Sequence, residues 1–359
     1  MKKVVSIVGA RPQFIKASVV SRELRKEYDE VMVHTGQHYD YNMSDIFFDE
    51  LKIPKPDYNL GISGGTHGQM TGKMLIAIEE VLLKEKPDIV VLYGDTNSTM
   101  AGAIASVKLH IPAVHIEAGN RFGTLDSPEE VNRIVTDHTS KLLLCCTESA
   151  KQFLDNEGLA DRSFVVGDPM LDAFEYYSKN ISDSQPEDIV DIYDKNVKLP
   201  KEFYYLTCHR QENTENKEAL KEILSAMESL DSKCIYPVHP RNFNRVKILN
   251  DKYNYKNIIF IKPVGYLMSI FLVNNAKKII TDSGGLQREA FFAKKQCVTI
   301  LDFVVWPETM VNGYNKLSKP LKKEILSNIE REVNFSECGE PFGNGKSAIK
   351  IVELINKFM

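Results

Sequence analysis

Val4-Val5-Ser6-Ile7-Val8-Gly9-Ala10-Arg11-Pro12-Gln13-Phe14-Ile15-Lys16 passes from a short apolar run through a small-residue turn into a helix start. The run reads as a first β-strand. A run of about seven residues, so quickly polar, is too short for a membrane span or a signal peptide. That reading places the chain in the cytoplasm. The same sentence of strand, turn and helix recurs outward from here. In the first half the strand candidates are Val4–Val8, Val31–Val33, Ile89–Tyr93, Ala113–Ile116, Leu142–Cys146 and Phe164–Val166, with helical patterns such as Met70–Leu83 and Asn97–Leu109 between them. In the second half they are Tyr204–Thr207, Cys234–Pro237, Ile258–Ile261, Lys278–Thr281 and Cys297–Leu301. Alternating strands and helices imply βαβ units, and continuous apolar strands imply parallel sheets buried on both faces.

The 359 residues exceed one ordinary core, so two domains are expected. The pattern divides them into residues 1–168 and 169–346, with the tail 347–359 returning to the first domain. Its helical spacing is Ile349, Val352, Ile355 and Phe358. The polar stretch from Ser178 to Lys201 reads as a helix and loop at the junction. Apolar residues are 43%, charged residues 26%, and the net charge is −4, an ordinary globular balance with no basic field for nucleic acid. The six cysteines form no Cys-x-x-Cys pair and no metal spacing, and they read as buried thiols.

Ligands of open α/β sheets bind beyond the carboxyl ends of the strands, so the turns there matter most. Gly9-Ala10-Arg11 offers backbone N–H groups to an anion, with Arg11 and Lys16 as cations, but it is not a dinucleotide fingerprint. Asp95 in Tyr93-Gly94-Asp95-Thr96-Asn97 is either a helix N-cap or an acid facing a site. Glu117 in His115-Ile116-Glu117-Ala118-Gly119 has less structural excuse. In Ser127-Pro128-Glu129-Glu130-Val131-Asn132-Arg133, Ser127 and Glu130 read as a capping box, which leaves Glu129 as the functional acid with Arg133 within pairing reach. His209-Arg210 and His239-Pro240-Arg241 follow successive strands and suit a diphosphate or a proton transfer. Asp282-Ser283-Gly284-Gly285 opens a helix, a geometry that cradles phosphate, and Glu289 on its first turns can accept ribose hydroxyls.

In order, GARPQFIK, TGQHYD, YGDTNST, HIEAG, PEEVNR, TCHRQEN, PVHPR and TDSGGLQREA resemble the non-hydrolysing UDP-N-acetylglucosamine 2-epimerases from Val5 to about Asn315. The resemblance implies two Rossmann-like domains of the glycosyltransferase-B type with a cleft between them, UDP being held mainly by the second. It implies loss of the C2 proton, departure of UDP from C1, a 2-acetamidoglucal intermediate, and return of both. No cofactor or metal enters that reaction. Asp95, Glu117, Glu129 and His209 match catalytic positions. Arg11, His209, Ser283 and Gly284 match diphosphate contacts, Glu289 matches the ribose ligand, and Lys16 and Arg133 are supporting cations. The resemblance also implies a homodimer acting on a UDP-sugar. Some members are activated at a second site, for which Gln37-His38 and His67-Gly68-Gln69 are the segments to consider.

Two segments depart from the family. Where it reads Leu-Arg-Ser-Phe-Asp, this chain has Asn120-Arg121-Phe122-Gly123-Thr124-Leu125-Asp126. Where it reads Arg-Asp-x-Thr-Glu-Arg-Pro-Glu, this chain has Leu301-Asp302-Phe303-Val304-Val305-Trp306-Pro307-Glu308. The expected substrate is UDP-N-acetylglucosamine. The departures keep open the branches acting on UDP-2,3-diacetamido-hexuronates or making UDP-N-acetyl-L-fucosamine. A glycosyltransferase, a hydrolysing epimerase and a nucleotide-sugar sensor are the rival readings, and the acid set in the first half argues against the first and last.

Overall fold

The computed structural model describes residues 1–37, 48, 50–181, 188–335 and 338–358. It divides into two compact units, Met1–Glu175 with Glu340–Met359, and Tyr176–Gly339. The division therefore falls inside the helix Pro169–Ile181 and ahead of the C-terminal helix, not at 168 and 346. The physical reason is local. The Asp168 N–H donates to the Phe342 carbonyl at 2.9 Å, so the chain's outward and return passages are bonded together within the first unit. Gly167 sits there at φ +93°, with the Phe342 oxygen 2.9 Å from where a Cβ would stand.

The first unit holds β1 (Lys3–Val8), β2 (Asp29–His34), β3 (Tyr58–Asn59), β4 (Ile89–Tyr93), β5 (Ala113–Ala118), β6 (Leu142–Cys145) and β7 (Ser163–Val165). They form one sheet in the order β3-β2-β1-β4-β5-β6-β7, parallel throughout. Val5, Ile7, Val90 and Leu92 fill one face against Met74, Ile78 and Ala101. The β-branched strands and small helix residues fit each other there, so neither face is left to water. The C-terminal helix Ser347–Phe358 packs on the helix Arg11–Leu24. Its buried stripe is Ala348, Ile351, Val352 and Ile355, while Ile349 is exposed, a different phase from the one the sequence suggested. Tyr28 and Asn356 hydrogen-bond across that contact at 2.5 Å.

The second unit holds β8 (Asp188–Val190), β9 (Asn196–Lys198), β10 (Phe203–Thr207), β11 (Lys233–Pro237), β12 (Ile258–Ile261), β13 (Ile279–Thr281), β14 (Cys297–Thr299) and β15 (Asn315–Leu317). Its sheet runs β12-β11-β10-β13-β14-β15, again all parallel. The polar stretch read as helix and loop carries the antiparallel hairpin β8–β9; residues 182–187 lie outside the described residues.

Both sheets reverse direction of growth once. The first does so between β1 and β4 and the second between β10 and β13. Consecutive loops diverge at such a switch point and leave a crevice at the strands' carboxyl ends. No helix among the described residues is long and apolar enough to cross a membrane.

Candidate active site

At the first switch point the turn after β1 enters the helix at Arg11, and the turn after β4 carries Gly94 and Asp95. Gln13 joins them. Its carbonyl oxygen accepts the Gly9 and Ala10 N–H groups at 2.7 and 3.0 Å, and its amide donates to the Tyr93 carbonyl at 2.6 Å. Sequence reasoning passed over Gln13, although a Gln three residues after a turn is a recognisable helix-start signal.

Lys16 projects from that helix into an ion pair with Glu117. Both are almost out of solvent, at 2% and 8% exposure. A buried charge is costly unless paired, and each here has its partner. Glu117 sits in β5 at φ +70°, where the register against β6 shifts between Ile116 and Ala118. A bulge of this kind re-aims a side chain, and left-handed backbone at a residue other than glycine concentrates at functional sites.

Asp95 pairs with Arg133, which also reaches Glu130 at 3.3 Å and lies over the Phe122 ring at 4.0 Å. Asn132 donates to the Asp95 carbonyl at 2.9 Å. Asp95 is not the N-cap of the next helix; Thr96 is, accepting from the Thr99 N–H. The capping box at Ser127 is also absent. The Ser127 hydroxyl donates to Glu129 at 2.6 Å. The Glu130 carboxylate is taken by the Phe122 and Gly123 N–H groups at 2.9 and 3.0 Å, because the divergent loop folds back over the helix start. Arg133 therefore pairs with Asp95 and Glu130, not with Glu129. Glu129 is exposed at the first helical turn and makes no ion pair among the described residues.

Of the segments considered for a second site, Gln37 accepts the Ser98 hydroxyl at 3.0 Å, and His67 lies 3.3 Å from the Asn97 amide. His38 lies outside the described residues.

At the second switch point Asp282, fully buried after β13, organises the turn after β10. Its carboxylate accepts the His209 N–H at 2.9 Å, the Arg210 N–H at 2.9 Å and the Asn213 amide at 3.2 Å. His209 Nδ1 stands 3.0 Å from the same group. That bond places the imidazole proton on Nδ1 and leaves Nε2 as the working nitrogen. Burial would raise the Asp282 carboxyl, but His209 and the donated N–H groups hold it below the ordinary range. His239 follows β11, 6.3 Å from His209 between ring centres and nearly parallel to it. Asp282 was read only as part of a turn; its signal was an acid between a buried strand and Ser-Gly-Gly.

Ser283 caps the helix Gly284–Phe292 through the Leu286 N–H at 3.4 Å. Gly284 and Gly285 give that helix its first N–H groups, which suit an anion. The approach at Gly284 is close, since a Cβ there would stand 3.0 Å from Val305 Cγ1. Glu289 is buried on the second turn of that helix. The divergent apolar segment therefore rests on the anion turn. Phe303 lies under the Arg210 guanidinium at 5.3 Å and Trp306 under Arg288 at 4.0 Å. Gln287 holds it there by donating to Thr309 at 2.6 Å.

The two arrangements differ in kind. The first unit presents acids paired with buried cations, fit for proton transfer. The second presents backbone N–H groups, Arg210 and an oriented histidine, fit for a diphosphate.

Residues 22–356 match the family model described as UDP-N-acetylglucosamine 2-epimerase. The chain is 48% identical to a UDP-N-acetylglucosamine 2-epimerase homolog of Methanococcus maripaludis, over 98% of this chain and 99% of that one. It is 42% identical to the UDP-2,3-diacetamido-2,3-dideoxy-D-glucuronate 2-epimerase of Pseudomonas aeruginosa, over 99% of each. Among solved structures it superposes on the Methanocaldococcus jannaschii UDP-GlcNAc 2-epimerase, in complex with UDP-GlcNAc and UDP, with a TM-score of 0.87 at 42% identity, over 99% of each chain.

Proposed function

The chain belongs to the UDP-N-acetylglucosamine 2-epimerase family, and from that premise we propose that it interconverts UDP-N-acetylglucosamine and UDP-N-acetylmannosamine without net hydrolysis. The bulged, left-handed Glu117 with its buried Lys16 carries this reading, because strained backbone at a buried acid concentrates at functional sites. A carboxylate takes the C2 proton. The C2–H electron pair becomes the C1=C2 double bond, and the C1–O bond breaks with its pair leaving on UDP. The acetamidoglucal stays bound while UDP is held. UDP oxygen then re-forms the C1–O bond and a proton arrives on the opposite face of C2.

Asp95, Glu117 and Glu129 form the proton-transfer set, with Lys16 the cation of Glu117 and Arg133 that of Asp95. Ser283, Gly284, Gly285, Arg210, Arg11 and His239 receive the diphosphate, His209 Nε2 steadies the departing oxygen, and Glu289 takes the ribose. The enzyme is a cytoplasmic homodimer that feeds surface-polysaccharide precursors.

A second reading, a 2-epimerase of a diacetamido-hexuronate, is favoured by the 42% identity to the Pseudomonas relative. Incubation with each UDP-sugar in turn, followed by phosphorus NMR, separates the outcomes. A second UDP-HexNAc signal without stoichiometric UDP supports the first reading. Turnover of the hexuronate alone supports the second, and UDP released in step with free sugar contradicts both.

A further inference from the structure

Asp137 lies near the end of the helix Pro128–Thr139 with no solvent exposure. It touches none of the positions assigned above, yet three elements meet on it. One carboxylate oxygen stands 2.6 Å from His115 Nδ1. The other accepts the Gly119 N–H at 3.2 Å and Arg121 Nη1 at 2.7 Å. The far nitrogen of His115, also fully buried, stands 2.7 Å from the Gly94 carbonyl. Gly94 directly precedes Asp95, Gly119 directly follows the Glu117-Ala118 bulge, and the helix itself carries Glu129 in its first turn and Arg133 one turn on. One carboxylate thus ties together the three elements that bear the three acids.

The cluster is expensive to bury. Its partners recover much of that cost, but apolar side chains of the same volume would serve the core as well or better. Burial would raise the Asp137 carboxyl, and His115 with Arg121 outweighs it and holds the group below the ordinary range. Glu157 closes the outer edge by clamping Arg121 at 2.7 and 2.8 Å. Each ring nitrogen of His115 faces one polar partner, Asp137 on one side and the Gly94 carbonyl on the other, so the ring links the two turns.

We propose that His115 and Asp137 are positioning residues, which set the Gly94-Asp95 turn and the Glu117 bulge at the mutual geometry that proton transfer at C2 requires. This rests on the 2-epimerase reading. A displacement of about 1 Å at a reacting group costs on the order of 100-fold in rate, so the effect should fall on kcat.

Two isosteric changes separate the roles. An asparagine amide falls near the Nδ1 position and keeps the bond to Asp137; a glutamine amide falls near Nε2 and keeps the bond to Gly94. The expected result is that His115→Asn lowers kcat about 100-fold, with KM and the UDP Kd within about threefold of wild type. His115→Gln should regain most of that loss, to within about tenfold of wild type, at equal melting temperature. Asp137→Asn is the second variant should His115→Asn fail to fold. It should lower kcat with UDP affinity unchanged, because the UDP turn belongs to the other unit. Equal kcat in the two His115 variants, or a rise in KM with kcat intact, overturns the proposal. Loss of UDP affinity together with kcat in Asp137→Asn does the same. Wild-type turnover of UDP-N-acetylglucosamine is the control: its absence would count against the 2-epimerase reading, whereas its presence with unaffected variants counts against positioning alone.

Discussion

At the first switch point the acids Glu117 and Asp95 face the cations Lys16 and Arg133. At the second, the buried acid Asp282 is bonded to backbone N–H groups and to His209, and what faces outward is a histidine, an arginine and a glycine helix start. The same strand order underlies both. In the proposed reaction the two regions divide the work: paired side-chain charges for proton transfer in the first, and backbone dipoles for an anion in the second.

The contrast breaks most readily at Glu117. Glu117→Gln keeps the shape and removes a carboxylate of the proposed proton-transfer set. It should lower kcat by about 100- to 10,000-fold with KM nearly unchanged, measured by proton NMR of the sugar. A change in KM alone would move Glu117 to binding. On the other side, Gly284→Ala puts a methyl 3.0 Å from Val305 Cγ1. It should weaken UDP binding by about tenfold in calorimetry while the bound enzyme keeps most of its kcat. If that variant lost kcat and kept its UDP affinity, the division of labour would be wrong.

The smallest effect is on stability. The Asp282 carboxyl lies below its ordinary range in the folded protein, so near pH 4 the unfolded chain binds the extra proton and stability rises with pH. Its contribution is full above that window and fades as pH falls through the folded value. Asp282→Asn should therefore be less stable than wild type at neutral pH, by about 1 kcal/mol. The gap should begin to narrow near pH 4 and close only as pH falls through the folded value. A gap that persisted unchanged into strong acid would mean that the carboxylate charge is irrelevant to the turn.

Much of this was legible in the sequence. The parallel sheets followed from continuous apolar strands, and the helix start followed from the Ser283-Gly284-Gly285 turn. What escaped depended on contacts between distant segments. Strand order is not encoded in any single strand, so the switch points were invisible. Glu130 matched a local capping rule, but the loop at Phe122 and Gly123 competed for it and won. Asp137 and His115 look like ordinary helix and strand residues until the fold brings Gly94 and Arg121 to them. The left-handed Glu117 could not be anticipated either, since nothing in His-Ile-Glu-Ala-Gly demands a bulge.

The most direct measurement is proton NMR in D2O with UDP-N-acetylglucosamine as the only substrate. The account predicts that deuterium enters C2 as the manno epimer appears, that wild type and Gly284→Ala both do this once saturated, and that Glu117→Gln does not. Epimer formed with the C2 proton retained, or exchange undiminished in Glu117→Gln, would contradict it.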